Sequence, residues 1–292
     1  MADCLKFIVT PEYDGMNAGR YLRVVCSLSS RTLSKLKRTE GGLKVNGNLL
    51  RSIDIVHSGD IIEMNLPAEK SETVTPIEGE LDVLYEDNFL LIVNKPPFMP
   101  VHPVKVHQTD TLANRIAYRY KEKEFVFRAV NRLDSNTSGI VIISKDRHTA
   151  SVMQTTDIIK HYTALCHGII LEKGTVDAPI SLRKDSKIVR CVDPSGQNAV
   201  THYNPIDHMN NATMLDIVLE TGRTHQIRCH MSHIGYPLFG DDLYGGSREH
   251  INRQALHCHQ INFIHPFKNE NICISAPLPD DMQSLINLLK TG

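Results

Sequence analysis

The chain has no apolar run long enough to cross a membrane. The longest one beside a strand signal, residues 89–93, falls far short of the roughly 18 residues a span requires. Its first ten residues, MADCLKFIVT, lack the charged start, apolar stretch and small-residue cleavage site of a secretory signal, so a cytoplasmic location is the expectation. The seven cysteines are scattered and never spaced as CxxC, which argues against both a disulfide framework and a thiolate zinc site. GxGxxG, GxxxxGK[ST] and GxSxG are all missing, so dinucleotide, P-loop and serine-hydrolase chemistries lack their anchoring motifs. There is no low-complexity tract, no internal repeat, and a net charge of only −1, which excludes a polybasic nucleic-acid coat or an acidic tail. The histidines, above all His225, His230, His233, His257 and His259, raise a metal-dependent enzyme as a rival reading. No HExxH pattern or nearby glutamate base accompanies them, so neither metal nor cofactor is expected.

What is present points to two domains: 292 residues, 41% of them apolar, exceed what one average domain holds. Charge is segregated within the first third. Residues 20–51 carry eight Lys/Arg against the single Glu40, and residues 52–90 carry ten Asp/Glu against the single Lys70. Within the basic block, Tyr21, Leu22 and Val25 fall at helical spacing over 20–28, and a second helix is expected from Ser30 as N-cap through Lys37, with Leu33 and Leu36 inward. Arg31, Lys35 and Arg38 then share one outward face that can meet several phosphates, so RNA contact is expected there. The Asn46-Gly47 and Ser58-Gly59-Asp60 turns join short strands at 43–45 and 61–66. LSSRTLSKLKR followed by LKVNG and HSGDII resembles the small RNA-binding module named after ribosomal small-subunit protein four.

Residues 69–79, polar and with no apolar periodicity, read as a linker between a small α/β RNA-binding domain at 1–68 and a larger domain at 80–292. In the latter, strand signals at 81–85, 89–94, 139–144, 162–170, 199–206 and 212–220 are interleaved with helical patterns at 111–120, 224–234 and 280–289. Several strands are joined by turns too short for a helical crossover, so the expected class is α+β on a mainly antiparallel sheet.

Four polar clusters border those strands: NKPPFMPVHP, NRLDSNTSGIVIISK, KHYTALCHG and LETGRTHQIRCHMSHIGYPLFGDDLYGG. Taken in this order they resemble the RluA-type RNA pseudouridine synthases, whose H-R-L-D-x-x-T-S-G loop corresponds to NRLDSNTSG with Asn131 in the histidine position. That resemblance implies a pseudouridine synthase fold over 80–292 and a cofactor-independent isomerase acting on uridines in structured RNA, most simply large-subunit ribosomal RNA, with transfer RNA as the other substrate class. It further implies Asp134 as the catalytic carboxylate, Tyr162 as an aromatic face for uracil, and Arg223 as the cation that a carboxylate withdrawn from water requires. Arg132 would fill the space left by an everted nucleotide, Ile227 and Leu256 would wall the pocket, and Asn94, Lys95 and His102 would support it from behind. A monomer is expected. The alternative is a non-catalytic RNA-binding assembly factor on the same fold.

Overall fold

The computed structural model describes residues 3–66, 74–104, 106–123 and 125–291, apart from the side chains of Asp3, Arg31 and Leu66. Strand Ser138–Ser144, SGIVIIS, is buried at every position, so it has to lie inside a sheet. It pairs antiparallel with Leu90–Lys95 and, at its first residues, parallel with Leu256–Ile264. From edge to edge the large sheet runs Gly174–Asp177, Val200–Met209, Ala212–Leu219, Ile159–His167, Leu256–Ile264, Ser138–Ser144, Leu90–Lys95 and Asp82–Glu86, with Asn271–Ser275 added beside Leu256–Ile264. Among the described residues its one parallel pairing is that between Leu256–Ile264 and Ser138–Ser144, so the α+β reading holds.

That parallel contact explains the glycine of NTSG. Gly139 has φ +113°, and a Cβ there would sit 2.3 Å from the Cys258 carbonyl oxygen, a distance no side chain tolerates. Tyr162, Cys258 and Gly139 consequently lie in one row across three neighbouring strands, five residues beyond Asp134.

Helix Leu112–Arg119 starts at Thr111, whose hydroxyl accepts from the Asn114 amide while the Asn114 side chain returns to the Thr111 backbone, a reciprocal cap. Helix Gln226–His233 buries Ile227 and Met231, as its periodicity predicts, and helix Asp280–Thr291 buries Met282, Leu285, Ile286 and Leu289. Helix Arg147–Met153 and the strands from Leu256 onward are additional to the sequence expectation. No helix among the described residues is long and apolar enough to cross a membrane.

The N-terminal residues build a separate sheet, in the order Asp3–Ile8, Ile61–Leu66, Leu43–Val45, Asn48–Leu49. Asn46 and Gly47 both have positive φ, which closes the tight hairpin between the last two. Helix Ser30–Arg38 is capped by Ser29, not Ser30, through a bond from the Thr32 amide, and Leu33 and Leu36 are buried as expected. The small sheet rests on the large one through aromatic rings: Phe7 lies 5.6 Å from Phe89 and 5.5 Å from Phe267, centroid to centroid, and His148 meets the Cys26 carbonyl. Of the expected linker, residues 69–73 lie outside the described residues. Its remainder runs along helix Leu112–Arg119, held by bonds from Asn114 to the Thr75 carbonyl and from Arg115 to the Glu78 carbonyl.

Candidate active site

Asp134 opens a tight turn, closed by the Thr137 amide on its own carbonyl, directly ahead of the central strand. The next two peptide oxygens of the turn, those of Ser135 and Asn136, are tied down. Lys95 donates to the Ser135 carbonyl at 3.0 Å, the Met99 amide donates to the same oxygen at 3.1 Å, and Arg253 donates to the Asn136 carbonyl at 3.1 Å. Gln254 reaches the Thr137 hydroxyl, and Ser138 bonds His257. On the upstream side, the Asn131 amide group donates to the Ile140 carbonyl and accepts from the Ile142 amide, so the asparagine that replaces the usual histidine clamps the loop to its strand. A loop pinned in this way presents its carboxylate with little conformational freedom.

The carboxylate itself is 27% exposed, and its cation is Arg228, whose Nη1 donates to Oδ2 at 3.1 Å. This corrects the expectation of Arg223. The Arg223 guanidinium instead donates to the Asn198 carbonyl at 3.0 Å, and the Arg223 amide donates to the Gln226 side chain, because Arg223 precedes helix Gln226–His233 and lies at its entrance. Arg228 lies inside the first turn of that helix, next to Ile227, and is only 6% exposed. It is fully engaged: Nε and Nη2 bond the two oxygens of buried Asp241, each at 2.7 Å, and the guanidinium lies 5.0 Å from the Tyr244 ring. His225, in the left-handed conformation at φ +57°, places Nε2 3.7 Å from Asp134 and Nδ1 3.0 Å from the Tyr244 hydroxyl. Burial holds its imidazolium down, against the pull of Asp134.

Tyr162 is buried in the same apolar cluster as Leu133, Ile227, Leu256 and Cys258. Burial first, with the neighbouring Cys258 and Asp134 adding to it, pushes its phenol well up, so it stays neutral. Lys95 is fully buried under the turn; burial, and behind it Arg253, pushes its ammonium down to about 7 while Asp134 pulls the other way. Arg253 spans from the turn to the C-terminal helix, where it grips both oxygens of Asp281 at 2.6 and 2.8 Å.

Arg132 is exposed, and its guanidinium has no hydrogen bond or ion pair among the described residues. His102 stands edge-on to Phe127 at 5.0 Å; the packing beneath it and then the Arg132 guanidinium hold its imidazolium down. Asn94 is not brought to the site. Side chains alternate along strand Leu90–Lys95, so while Lys95 points in, Asn94 points away and donates to Asp82 at 3.0 Å. On the N-terminal helix Lys35 and Arg38 are exposed, while the Arg31 side chain lies outside the described residues.

Arg228, Asp241 and Tyr244 are members of the site that sequence reasoning missed, and His225, singled out there as a metal-ligand candidate, stands instead beside Asp134 and Tyr244. The available signal was helical: with Ile227 and Met231 inward, Arg228 is the cation of GRTHQIR nearest that face. Among the described residues no three His, Cys, Asp or Glu side chains are placed to hold a metal ion. Of the histidines that suggested one, His230 bonds Thr201 and the Ala178 carbonyl, His257 bonds Ser138 and His259 bonds Thr163, while His225 stands beside Asp134.

The RNA pseudouridylate synthase family pattern matches residues 89–233. The chain is 41% identical to the Bacillus subtilis protein named as the uncharacterized RNA pseudouridine synthase YjbO, over 89% of this chain and 94% of that one. It is 36% identical to the ribosomal large subunit pseudouridine synthase D of Pseudomonas aeruginosa, over 86% and 85% respectively. In fold it is similar to human RNA pseudouridylate synthase domain containing 1, with a TM-score of 0.58 at 22% identity, covering 77% of this chain and 98% of that one. The chain belongs to the RNA pseudouridine synthase family, and is therefore an isomerase.

Proposed function

We propose that this isomerase converts specific uridines of 23S ribosomal RNA to pseudouridine, in the cytoplasm, with Asp134 as its catalytic carboxylate. The observation that supports this reading is Asp134, paired to Arg228 at the head of the central strand, with the buried Tyr162 in the row that runs through Cys258 to Gly139 on that strand. The reaction breaks the bond from ribose C1′ to N1, turns the uracil, and joins C1′ to C5; the C5 hydrogen leaves as a proton and N1 takes one up. No electrons are exchanged, so no redox partner is required. The carboxylate attacks ribose or base covalently, or assists elimination at the sugar, and is released at the end. Tyr162 offers a face to the uracil and, as a neutral phenol, a proton to donate. A uridine in folded RNA has to leave its stack to reach this depth, and Arg132, exposed beside the loop, occupies the gap and meets phosphate. Ile227 and Leu256 form apolar wall, and Lys95 and His102 support the loops. The ribosomal assignment is supported by the relatives named for the large ribosomal subunit. Pseudouridine mapping of ribosomal and transfer RNA in cells with and without the gene tests it: one or a few 23S positions lose the modification, and loss confined to transfer RNA rejects the ribosomal substrate.

The N-terminal module is proposed as the second RNA contact. Lys35 and Arg38 are exposed without an ion pair among the described residues, on the face opposite Leu33 and Leu36. Lys35→Ala with Arg38→Ala is expected to weaken RNA binding and to lower the slope of log affinity against log salt by about two, one per lost phosphate contact. The melting temperature stays unchanged, and an unaltered salt slope would count against this contact.

A further inference from the structure

Phe98 holds a backbone conformation that bulky residues avoid, with φ at +60°. It follows Pro97 as the second central residue of a turn, a position that favours glycine. Packing gives no reason for a large ring there. Phe98 is 56% exposed, and among the described residues it makes no ring–ring or cation–ring contact.

The turn is not remote from the chemistry. Met99, the next residue, bonds through its amide to the Ser135 carbonyl, and Lys95 bonds both that oxygen and the Pro96 carbonyl, at 3.0 and 2.8 Å. Residues on both sides of Phe98 are thus tied to the neighbour of Asp134. Successive Cα atoms are about 3.8 Å apart, so the Phe98 backbone lies one residue from a hydrogen bond to Ser135, the residue that follows Asp134. Two positions upstream of Asp134, Arg132 offers a guanidinium that has no hydrogen bond or ion pair among the described residues.

We infer that Phe98 is a stacking platform for an unpaired nucleobase of the substrate RNA beside the target uridine, with Arg132 taking an adjoining phosphate. This rests on the reaction proposed at Asp134. Everting one nucleotide leaves its neighbours without a stacking partner, and an exposed aromatic face receives any base irrespective of sequence. At this turn the ring is left largely in solvent, where a base can reach it.

The test uses the full chain and a 23S ribosomal RNA transcript labelled with [5-³H]uridine, following tritium release and, in parallel, thermal melting. Phe98→Gly relieves the backbone, so its melting temperature is unchanged or raised, while kcat/KM falls about tenfold and kcat at saturating RNA stays within about threefold. Phe98→Tyr and Phe98→Trp stay within about threefold of the parent. Phe98→Leu, equally apolar but without a π face, falls with glycine. Wild-type kcat/KM in either the glycine or the leucine variant overturns the inference. So does loss of self-association in Phe98→Gly at unchanged kcat/KM, which would make the ring a contact between copies. A parent protein that releases no tritium from any RNA removes the proposed reaction and this inference with it, whereas failure of the inference alone leaves the parent active.

Discussion

Asp134→Ala is expected to stop pseudouridine formation, with a loss on the order of 10⁴-fold or more, while RNA affinity stays within about threefold of the parent. The two readouts separate because the carboxylate is small and recessed, whereas affinity is supplied by phosphate contacts spread over a larger surface. Stability should barely change. Arg228 keeps both bonds to Asp241 when Asp134 is gone, so no buried charge is orphaned, and the Asp134 carboxylate is already in part solvated. Single-turnover tritium release and filter binding on the same RNA check this. Undiminished turnover in Asp134→Ala would remove the residue from the mechanism, and equal loss of binding and turnover would favour a protein that only binds RNA.

Arg228→Met should be damaging in a different way. It removes three charge-assisted bonds and leaves the carboxylate of Asp241 buried without a cation, a defect that costs about 3–5 kcal/mol in comparable settings. The melting temperature should fall on the order of 10 °C, and turnover should fall with it even at temperatures where the variant is folded, because Asp134 loses its guanidinium. Arg228→Lys keeps the charge but cannot grip two carboxylates in one plane, so it should recover stability only in part. Arg223→Ala is the contrast: its guanidinium is bonded to one backbone carbonyl at the surface, so melting should shift by about 1 °C or less and turnover by a small factor. Calorimetry on the three variants decides between the two arginines, and a larger effect at Arg223 would restore it as the partner of Asp134.

The substitution at Asn131 shows how a departure from a family pattern is resolved by geometry. A primary amide carries a donor and an acceptor on one planar group, and here they meet a carbonyl and an amide of the following strand at 3.0 and 2.8 Å. The clamp acts on the backbone of the strand that follows Asp134.

Much of the architecture could be read from local pattern. Apolar periodicity located the helices at 112–119 and 226–233 and the buried strand of 138–144, because these elements show their environment in their own side chains. The strand Leu256–Ile264 escaped that reading. Its LHCHQINFI pattern places histidines at buried and half-buried positions, and their partners, Ser138, Thr163 and the Ala276 carbonyl, come from segments remote in sequence. The docking of the small sheet through Phe7, Phe89 and Phe267 was invisible for the same reason.

The amino-acid order alone determined the α+β class, the basic helix, and the position of the loop that bears Asp134, since each depends on neighbours within a few turns of chain. Which arginine faces that carboxylate was decided by tertiary structure. Both lie in the same seven-residue stretch, GRTHQIR, and differ only in whether the residue precedes the helix or sits within its first turn, a distinction that becomes chemical once Asp241 and Asp134 close on Arg228 from two sides.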